Sequence, residues 1–249
     1  MKLAIMQPTF NPWVGYFDLI NSVDIFVFLD NVQLEKRSWQ VRNKVKSNDD
    51  KEIFISIPIK KIEHRDNTLI NTAVINGYDW AKKALKTIKH NYSKSKYFKE
   101  VYPFIEKLIL NKENYILSDY NINIIKSVSD KLAIKTSFIR ASSINNLEGA
   151  KDKLLLSICK SLNASTYISP KGSSVYLQKN NAGEKYKMNR VGLYYSDYVH
   201  PRYSQVGRDF IEYLGIFDLL FNEGFENAKS IISSGHREYI YYKDFANEN

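Results

Sequence analysis

The sequence contains one cysteine, Cys159, and four histidines among its 249 residues. A single thiol cannot form an internal disulfide, and it excludes every zinc site that needs several cysteines. The histidines His64, His90, His200 and His236 lack the spacing of metal ligands. We therefore expect no disulfide and no metal centre, and we expect Cys159, in an apolar helical stretch, to be buried.

Long apolar runs are also missing. Met1-Lys2 is followed by only four apolar residues, which is too short for the apolar core of a secretory signal. No stretch approaches the roughly 18 apolar residues of a membrane-spanning helix. The sequence therefore predicts a cytoplasmic protein without a membrane span.

Basic residues outnumber acidic ones, giving a formal net charge of +9 at pH 7. The cations are scattered, and no nucleic-acid-binding motif accompanies them. The excess is expected to reflect either a solvated surface or a phosphate-bearing ligand. Hydrophobic residues make up 44% of the chain, enough for the core of one α/β domain over residues 1–249.

Apolar strands alternate with amphipathic helices along the chain. Lys2 to Met6 and Ile25 to Leu29 read as strands, and the amphipathic stretch from Trp13 to Ile20 joins them as a βαβ unit. Strand-like sequence returns at 52–59, 135–140, 165–169 and 191–195, and helical patterns cover 80–91, 96–132, 151–162, 208–222 and 226–233. This alternation predicts a Rossmann-like, mostly parallel sheet with a helical insertion at about residues 79–132.

Polar side chains follow the first two predicted strands, where ligands lie in parallel sheets. The amide of Gln7 can both donate and accept, so it is a candidate for polarising a carbonyl. Asp30 is a candidate general base or hydroxyl-binding group, against the alternative of a plain turn aspartate. Asp24 precedes the second strand at the opposite edge and is expected to cap a turn.

Cationic and aromatic side chains follow Asp30 closely. Arg42 offers a planar fork for a phosphate or carboxylate, and Lys36 a second cation. Trp39 offers a stacking face for a base or for the apolar face of a sugar. We therefore predict that Lys36, Trp39, Arg42 and the neighbouring Asn43 bind substrate.

A second polar loop, Ser169-Pro170-Lys171-Gly172-Ser173-Ser174, lies between a predicted strand and a predicted helix. Exposed amides at such a helix start can bind an anion, with Ser169 and Lys171 as the contacts. An ordinary N-cap serine explains the same pattern. Asp218 lies in an apolar helix and is expected to be structural.

Several motifs together resemble one protein family. Residues 6–17 follow the pattern M-Q-P-x-[FY]-x-P-W-x-G-Y-F, residues 24–33 the pattern D-x-F-V-x-x-D-x-V-Q, and residues 36–43 the pattern K-x-x-W-x-x-R-N. Later matches are Tyr167 to Gly172, Tyr203-Ser204-Gln205 and Phe217 to Gly224. The chain resembles the WbqC-like family of bacteria, and this resemblance implies that Tyr203 and Gln205 line the binding pocket.

The resemblance also implies a function. Members lie among genes for surface polysaccharides such as O-antigen, and transfer of an acyl or aminoacyl group to an amino sugar is the implied activity. The acceptor is expected to be nucleotide-linked, and the donor a thioester or an aminoacyl carrier, with no tightly bound cofactor. Asp30 would act as the base and Gln7 would polarise the carbonyl, while Lys36 and Arg42 would hold phosphates.

Two other functions remain open. A non-catalytic sugar-nucleotide binding or scaffolding protein would use the same aromatic and basic residues without needing a base at Asp30. A nucleotidylyltransferase-like enzyme is the third hypothesis, because Thr9-Phe10-Asn11-Pro12 is similar to the T-F-D-P-x-H-x-G-H signature of nucleotidylyltransferases. Both histidines of that signature are absent here, and the spacing is one residue short.

Overall fold

The computed structural model describes residues 1–35, 37–60, 68–111, 113, 115–179 and 181–245. Its main sheet contains β1 (Lys2–Met6), β2 (Ile25–Phe28), β5 (Ser137–Arg140), β6 (Thr166–Pro170), β7 (Gly192–Ser196) and β8 (Ile240–Tyr241). The strand order is β5-β2-β1-β6-β7-β8, and only β8 runs antiparallel to its neighbour. The predicted α/β fold with a mostly parallel sheet is confirmed.

The sheet separates two apolar cores because its central strands are apolar on both faces. In β1, Ala4 faces the larger core, while Leu3 and Ile5 face the smaller one. In β2, Phe26 faces the larger core and Val27 the smaller one. The continuous apolar runs of the first two strands therefore reflect burial from both sides.

Helices cover both faces of the sheet. The larger core contains residues of α1 (Val14–Asn21), α2 (Asp79–Tyr92), α3 (Phe98–Ile109), α4 (Leu117–Lys131) and α8 (Ile216–Ser234). The smaller core contains residues of α5 (Asp152–Ser161), α6 (Ser174–Lys179), α7 (Ala182–Met188) and α9 (Tyr242–Phe245). Helices α2 to α4 lie within the range where the sequence predicts a helical insertion.

A small antiparallel hairpin lies outside the main sheet. It consists of β3 (Arg42–Lys46) and β4 (Glu52–Ser56), with Arg42 opposite Ser56 and Lys46 opposite Glu52. The sequence analysis did not predict β3, because Val45 is its only apolar residue. Pairing with β4, rather than its own periodicity, makes this segment a strand.

The tail differs from the prediction of a helix beginning at Arg208. Helix α8 begins at Ile216, because the preceding segment is held as a loop. Arg208 N–H donates to the carboxylate of Asp50 at 3.0 Å, and Gly215 N–H donates to the carbonyl of Lys44 at 3.0 Å. The predicted break between the two tail helices is confirmed, because α8 consists of two helical parts that meet at a kink at the non-helical Gly224 (φ 73°, ψ 179°).

The order of the strands creates a switch point beside β1. From β1 the chain proceeds to β2 and then β5 on one side, and it returns to β6 on the other side. The connections that leave β1 and β6 therefore diverge at the carboxyl ends of these two strands. A crevice at such a point is the usual ligand site of an open parallel sheet.

A buried carboxylate joins three distant segments. Asp218 of α8 accepts hydrogen bonds from the hydroxyls of Tyr92 at 2.7 Å and Tyr203 at 2.8 Å, and from the amide of Gln205 at 2.8 Å. The Tyr92 hydroxyl also accepts the Lys46 N–H at 2.8 Å. Burial raises the pKa of Asp218 to about 6, although its three hydrogen bonds act in the opposite direction.

This raised pKa predicts a pH-dependent stability. Folded Asp218 binds its proton more tightly than the unfolded chain does, so the free energy of unfolding should fall as pH rises from about 4 to about 6. A difference of roughly two pH units between the folded and unfolded pKa corresponds to roughly 3 kcal/mol. Asp218→Asn should remove this part of the slope, measured by urea denaturation at several pH values.

The wild-type chain is the reference for that experiment. Burial also raises the pKa of Asp18, but this residue contributes equally to both proteins. Identical slopes for wild type and Asp218→Asn would contradict the assignment.

Candidate functional site

Three adjoining cavities form a cleft beside the carboxyl ends of β1 and β6, with volumes of about 320, 340 and 150 Å³. Met6, the last residue of β1, lines all three. The first, which we call the aromatic cavity, is lined among others by Trp13, Tyr16, Trp39, Asn43, Lys44 and Tyr213. The second, the amide cavity, is lined among others by Gln7, Glu35, Ser38, Gln40, Tyr167 and Tyr176. The third, the lysine cavity, is lined among others by Gly15, Pro170, Lys171, Gly172, Ser196 and Tyr198. The two larger cavities have the size of small-molecule sites.

The loop after β1 forms the floor of the cleft, and its peptide carbonyls are bound by other parts of the fold. The donors are the Tyr16 hydroxyl to Gln7 (3.0 Å), the Asn121 amide to Pro8 (3.0 Å), the Asn43 amide to Phe10 (3.1 Å) and Asn11 (2.7 Å), and the Ile216 N–H to Pro12 (2.8 Å). Buried carbonyls need such partners. Side chains of α1, β3 and α4 therefore hold this loop in one conformation.

The same loop is tied to the start of α8. Asn11 has a left-handed backbone (φ 46°), which asparagine tolerates better than most residues. Its side-chain oxygen accepts the N–H of Phe217 at 3.1 Å, in the first turn of α8. Gly215 is required beside it, because a side chain at Gly215 would overlap the Asn11 amide.

Hydrogen bonds fix the orientation of the Gln7 amide. Gln40, which is buried, accepts the backbone N–H of Glu35 at 3.3 Å and the Ser38 hydroxyl at 3.2 Å through its side-chain oxygen. Its Nε2 therefore faces Gln7 and donates to Gln7 Oε1 at 2.7 Å. The Nε2 group of Gln7 has no hydrogen-bond partner within the described residues, so it is a free donor in the amide cavity.

Aromatic rings shape the other large cavity. The Trp13 indole lies across Gly15, and its ring centroid is 5.4 Å from that of Tyr213. The imidazole of His200 stacks on Trp13 at 6.2 Å, and burial lowers its pKa. Its Nδ1 donates to the carbonyl of Pro201 at 2.9 Å, so the neutral ring is well suited to this apolar cluster.

Four of the predicted site residues line the cleft: Gln7, Trp39, Asn43 and Lys171. The Trp39 side chain is 51% exposed and borders both larger cavities. The Asn43 amide is committed to the loop after β1 through its Nδ2, and its Oδ1 accepts the Lys44 N–H at 2.8 Å. The Lys171 ammonium pairs with Asp197 at 2.9 Å.

Asp30 is fully buried at the carboxyl end of β2 and does not line these cavities. Its carboxylate accepts the Arg140 Nε at 2.6 Å, and the Ser142 N–H and hydroxyl at 2.9 and 2.7 Å. Arg140 also pairs with Asp119 at 2.6 Å. These contacts join the carboxyl ends of β2 and β5, and the base role of Asp30 stays a prediction.

The remaining predicted residues lie elsewhere. Ser169 is buried within β6, and Tyr203 and Gln205 bind Asp218. The Arg42 guanidinium packs 4.5 Å from the ring centroid of Phe54 on the hairpin. None of these four side chains lines the three cavities, and Lys36 is outside the described residues.

Sequence reasoning missed several residues of the cleft, notably Trp13, Tyr16, Glu35, Gln40 and Tyr213. Trp13 and Tyr16 belong to the motif that contains Gln7, so the signal was present there. Glu35 and Gln40 are neighbours of the predicted residues Lys36 and Trp39, but no pattern in the sequence singles them out. Tyr213 comes from a distant loop, and no local signal links it to β1.

Two kinds of feature are missing from the part of the chain that the structure describes. No group of three or more His, Cys, Asp or Glu residues is arranged to hold a metal ion there, and none of its helices is both long enough and apolar enough to cross a membrane. Cys159 is buried and free, and burial raises the pKa of its thiol to about 12. A thiol in that state is a poor nucleophile.

Gly15 offers a test of the aromatic cavity. Gly15→Ala should displace the Trp13 indole, shift its fluorescence emission, and lower the free energy of unfolding by about 1–3 kcal/mol through overpacking. Gly172→Ala is the matched control, because this glycine also lines the cleft and has no atom near the position of an added Cβ. Equal effects of the two substitutions on emission and stability would contradict the described packing.

Comparison with known proteins places the chain in a family. The model of the WbqC-like protein family matches residues 7–230. An uncharacterised protein of Mycobacterium tuberculosis, Rv1507c, is 30% identical over 226 residues, covering 90% of this chain and 95% of that protein. No solved structure is significantly similar. The match includes the loop after β1, the β3–β4 hairpin and the first part of α8, and the chain belongs to the WbqC-like family.

Proposed function

We propose that this protein transfers an acyl or aminoacyl group from an activated donor to the amino group of a nucleotide-linked sugar, in the assembly of a surface polysaccharide. The observation that carries the proposal is the free Nε2 donor of Gln7, held at fixed orientation in a cleft with two cavities of substrate size. Such a donor suits a carbonyl whose oxygen gains negative charge during transfer.

The aromatic cavity suits the sugar nucleotide. The exposed rings of Trp39 and Tyr213 line this cavity and can stack on a base or on the apolar face of a hexose. Lys44 lines the same cavity, and Lys171 lies at the adjoining lysine cavity. We assign the phosphates to these two ammonium groups, which also pair with Glu52 and Asp197.

The amide cavity suits the activated acyl group. Its polar wall contains Gln7 and Ser38, and its apolar wall contains Ile5, Leu29 and Leu155. A carbonyl oxygen bound to Gln7 Nε2 would lie close to Met6, where the two large cavities meet. An amine held in the aromatic cavity would then approach the acyl carbon across this junction.

A non-catalytic sugar-nucleotide binding protein is the second candidate. The burial of Asp30 and its pairing with Arg140 favour it, because the predicted base is not available in the cleft. The two functions share the aromatic cavity and differ in the need for Gln7 Nε2.

Direct assay distinguishes these functions. We expect the purified protein to acylate at least one member of a panel of UDP- and dTDP-linked amino sugars when acyl-CoA thioesters or aminoacyl-carrier thioesters are supplied. The product is detected by mass spectrometry as an N-acyl adduct. Gln7→Leu should lower kcat by about 100-fold, as for a lost oxyanion donor, with the Kd of the sugar nucleotide unchanged. Binding of sugar nucleotides without any acylation would favour the binding protein.

Stacking in the aromatic cavity is tested separately. Trp39→Ala should raise the Kd of the sugar nucleotide by about tenfold, the loss of roughly 1.4 kcal/mol, measured by calorimetry. Arg42→Ala, three residues later in the chain, is the informative comparison, because this guanidinium packs on Phe54 and does not line the three cavities. A larger effect from Arg42→Ala than from Trp39→Ala would favour the sequence-based prediction that Arg42 binds phosphate.

A further inference from the structure

The amide cavity contains a carboxylate that the sequence analysis did not single out. Glu35 lines this cavity together with Gln7, and it is exposed. Within the described residues, the Glu35 carboxylate accepts no hydrogen bond and forms no ion pair. It is therefore free to interact with a ligand.

Among the acid–base side chains described in the lining of the cleft, Glu35 is the best candidate for a proton acceptor. Lys44 and Lys171 also line the cavities, and their ammonium groups form ion pairs with Glu52 and Asp197. The other acid–base side chains of the described lining are tyrosines, and burial raises the pKa of both Tyr167 and Tyr176 in the amide cavity. Neither class accepts a proton near neutral pH.

Gln40 connects Glu35 to Gln7. Its side-chain oxygen holds the backbone N–H of Glu35, and its Nε2 holds the side-chain oxygen of Gln7. Only 1% of Gln40 is exposed. This buried side chain therefore sets the spacing between Glu35 and Gln7. This arrangement places an acid–base group and an oxyanion donor in one cavity.

We propose that Glu35, rather than Asp30, accepts the proton of the attacking amine, and that Gln40 is the positioning residue for Glu35 and Gln7. This inference rests on the proposed acyl transfer. Asp30 is fully buried and bonded to Arg140 and Ser142, so it stabilises the ends of β2 and β5 instead.

The proposed transfer forms a C–N bond and breaks a C–S bond. The lone pair of the sugar amine attacks the carbonyl carbon of the thioester and forms a C–N bond, while Gln7 Nε2 donates a hydrogen bond to the resulting oxyanion. Glu35 takes one proton from the nitrogen. The intermediate collapses with cleavage of the C–S bond, and Glu35 returns the proton to the leaving thiolate. The products are the N-acylated sugar and a free thiol.

Substitutions at Glu35 and Asp30 separate the two roles. With an acceptor and a thioester that the wild type uses, Glu35→Gln should lower kcat by about 100-fold with little change in KM, and the rising limb of the pH–rate profile should disappear. Formate should partly restore activity to Glu35→Ala by acting as an external base. Asp30→Asn should instead lower the melting temperature, and Glu238→Gln, an exposed carboxylate outside the cleft, should change neither property.

The positioning role of Gln40 is tested by a double-mutant cycle with Gln7. Gln40→Leu and Gln7→Leu should each lower kcat, and the double variant should be no slower than the slower single variant, because both remove the same oriented donor. A merely structural role for Gln40 would give additive losses.

The outcomes distinguish the two proposals. If the wild type acylates an amino sugar and Glu35→Gln does so at the same rate, the Glu35 assignment is overturned while the transferase function stands. If formate restores Asp30→Ala but not Glu35→Ala, Asp30 is the base. If no amino-sugar nucleotide is acylated by the wild type, the transferase proposal fails and the assignment of Glu35 fails with it.

Discussion

The site depends on the hydrogen bonds that hold the loop after β1. Peptide carbonyls at Gln7, Pro8, Phe10 and Asn11 are each bound by a side chain from outside the loop. Asn121, which is fully buried in α4, joins this loop to the segment before β3 by donating to both Pro8 and Gln40 at 3.0 and 2.9 Å. Loss of such a buried donor leaves two carbonyls without partners, at about 1–3 kcal/mol each. The helical layer therefore fixes the floor of the cleft, although α4 itself does not line the cavities.

Local patterns predicted the sheet and part of the cleft, because both depend on rules that act over a few residues. The apolar runs of β1 and β2 identified two central strands, and the strand-end rule selected Gln7, which lines the amide cavity. The same rule selected Asp30, which also follows a strand. Asp30 differs from Gln7 because β5 lies beside β2 and supplies Arg140, which is 110 residues later in the chain, as its partner. A local pattern cannot reveal that partner, so it could not predict that the Asp30 carboxylate is buried and paired with Arg140.

The hairpin and the loop before α8 show why other parts escaped prediction. The polar sequence of β3 becomes a strand through its pairing with β4, and its Lys46 side chain is fully buried. That ammonium is neutralised by Asp50 at 2.8 Å, as a buried charge requires. Asp50 also accepts two backbone N–H groups, those of Arg208 and Asp209, and so holds the loop that carries Tyr213 into the aromatic cavity. This wall of the site is therefore set by contacts across roughly two-thirds of the chain.

One backbone N–H group determines whether the Gln7 amide presents a donor or an acceptor to the amide cavity. A side-chain amide can present either its oxygen or its nitrogen, but a backbone N–H can only donate. The N–H of Glu35 therefore selects the oxygen of Gln40, which turns the Gln40 nitrogen toward Gln7 and the Gln7 nitrogen toward the cavity. In the proposed transfer, Gln7 therefore acts as the donor to the oxyanion and not as the base. The proposed reaction then needs a proton acceptor from another side chain. The residue whose N–H sets this polarity, Glu35, lines the same cavity, and its carboxylate has no partner among the residues that the structure describes.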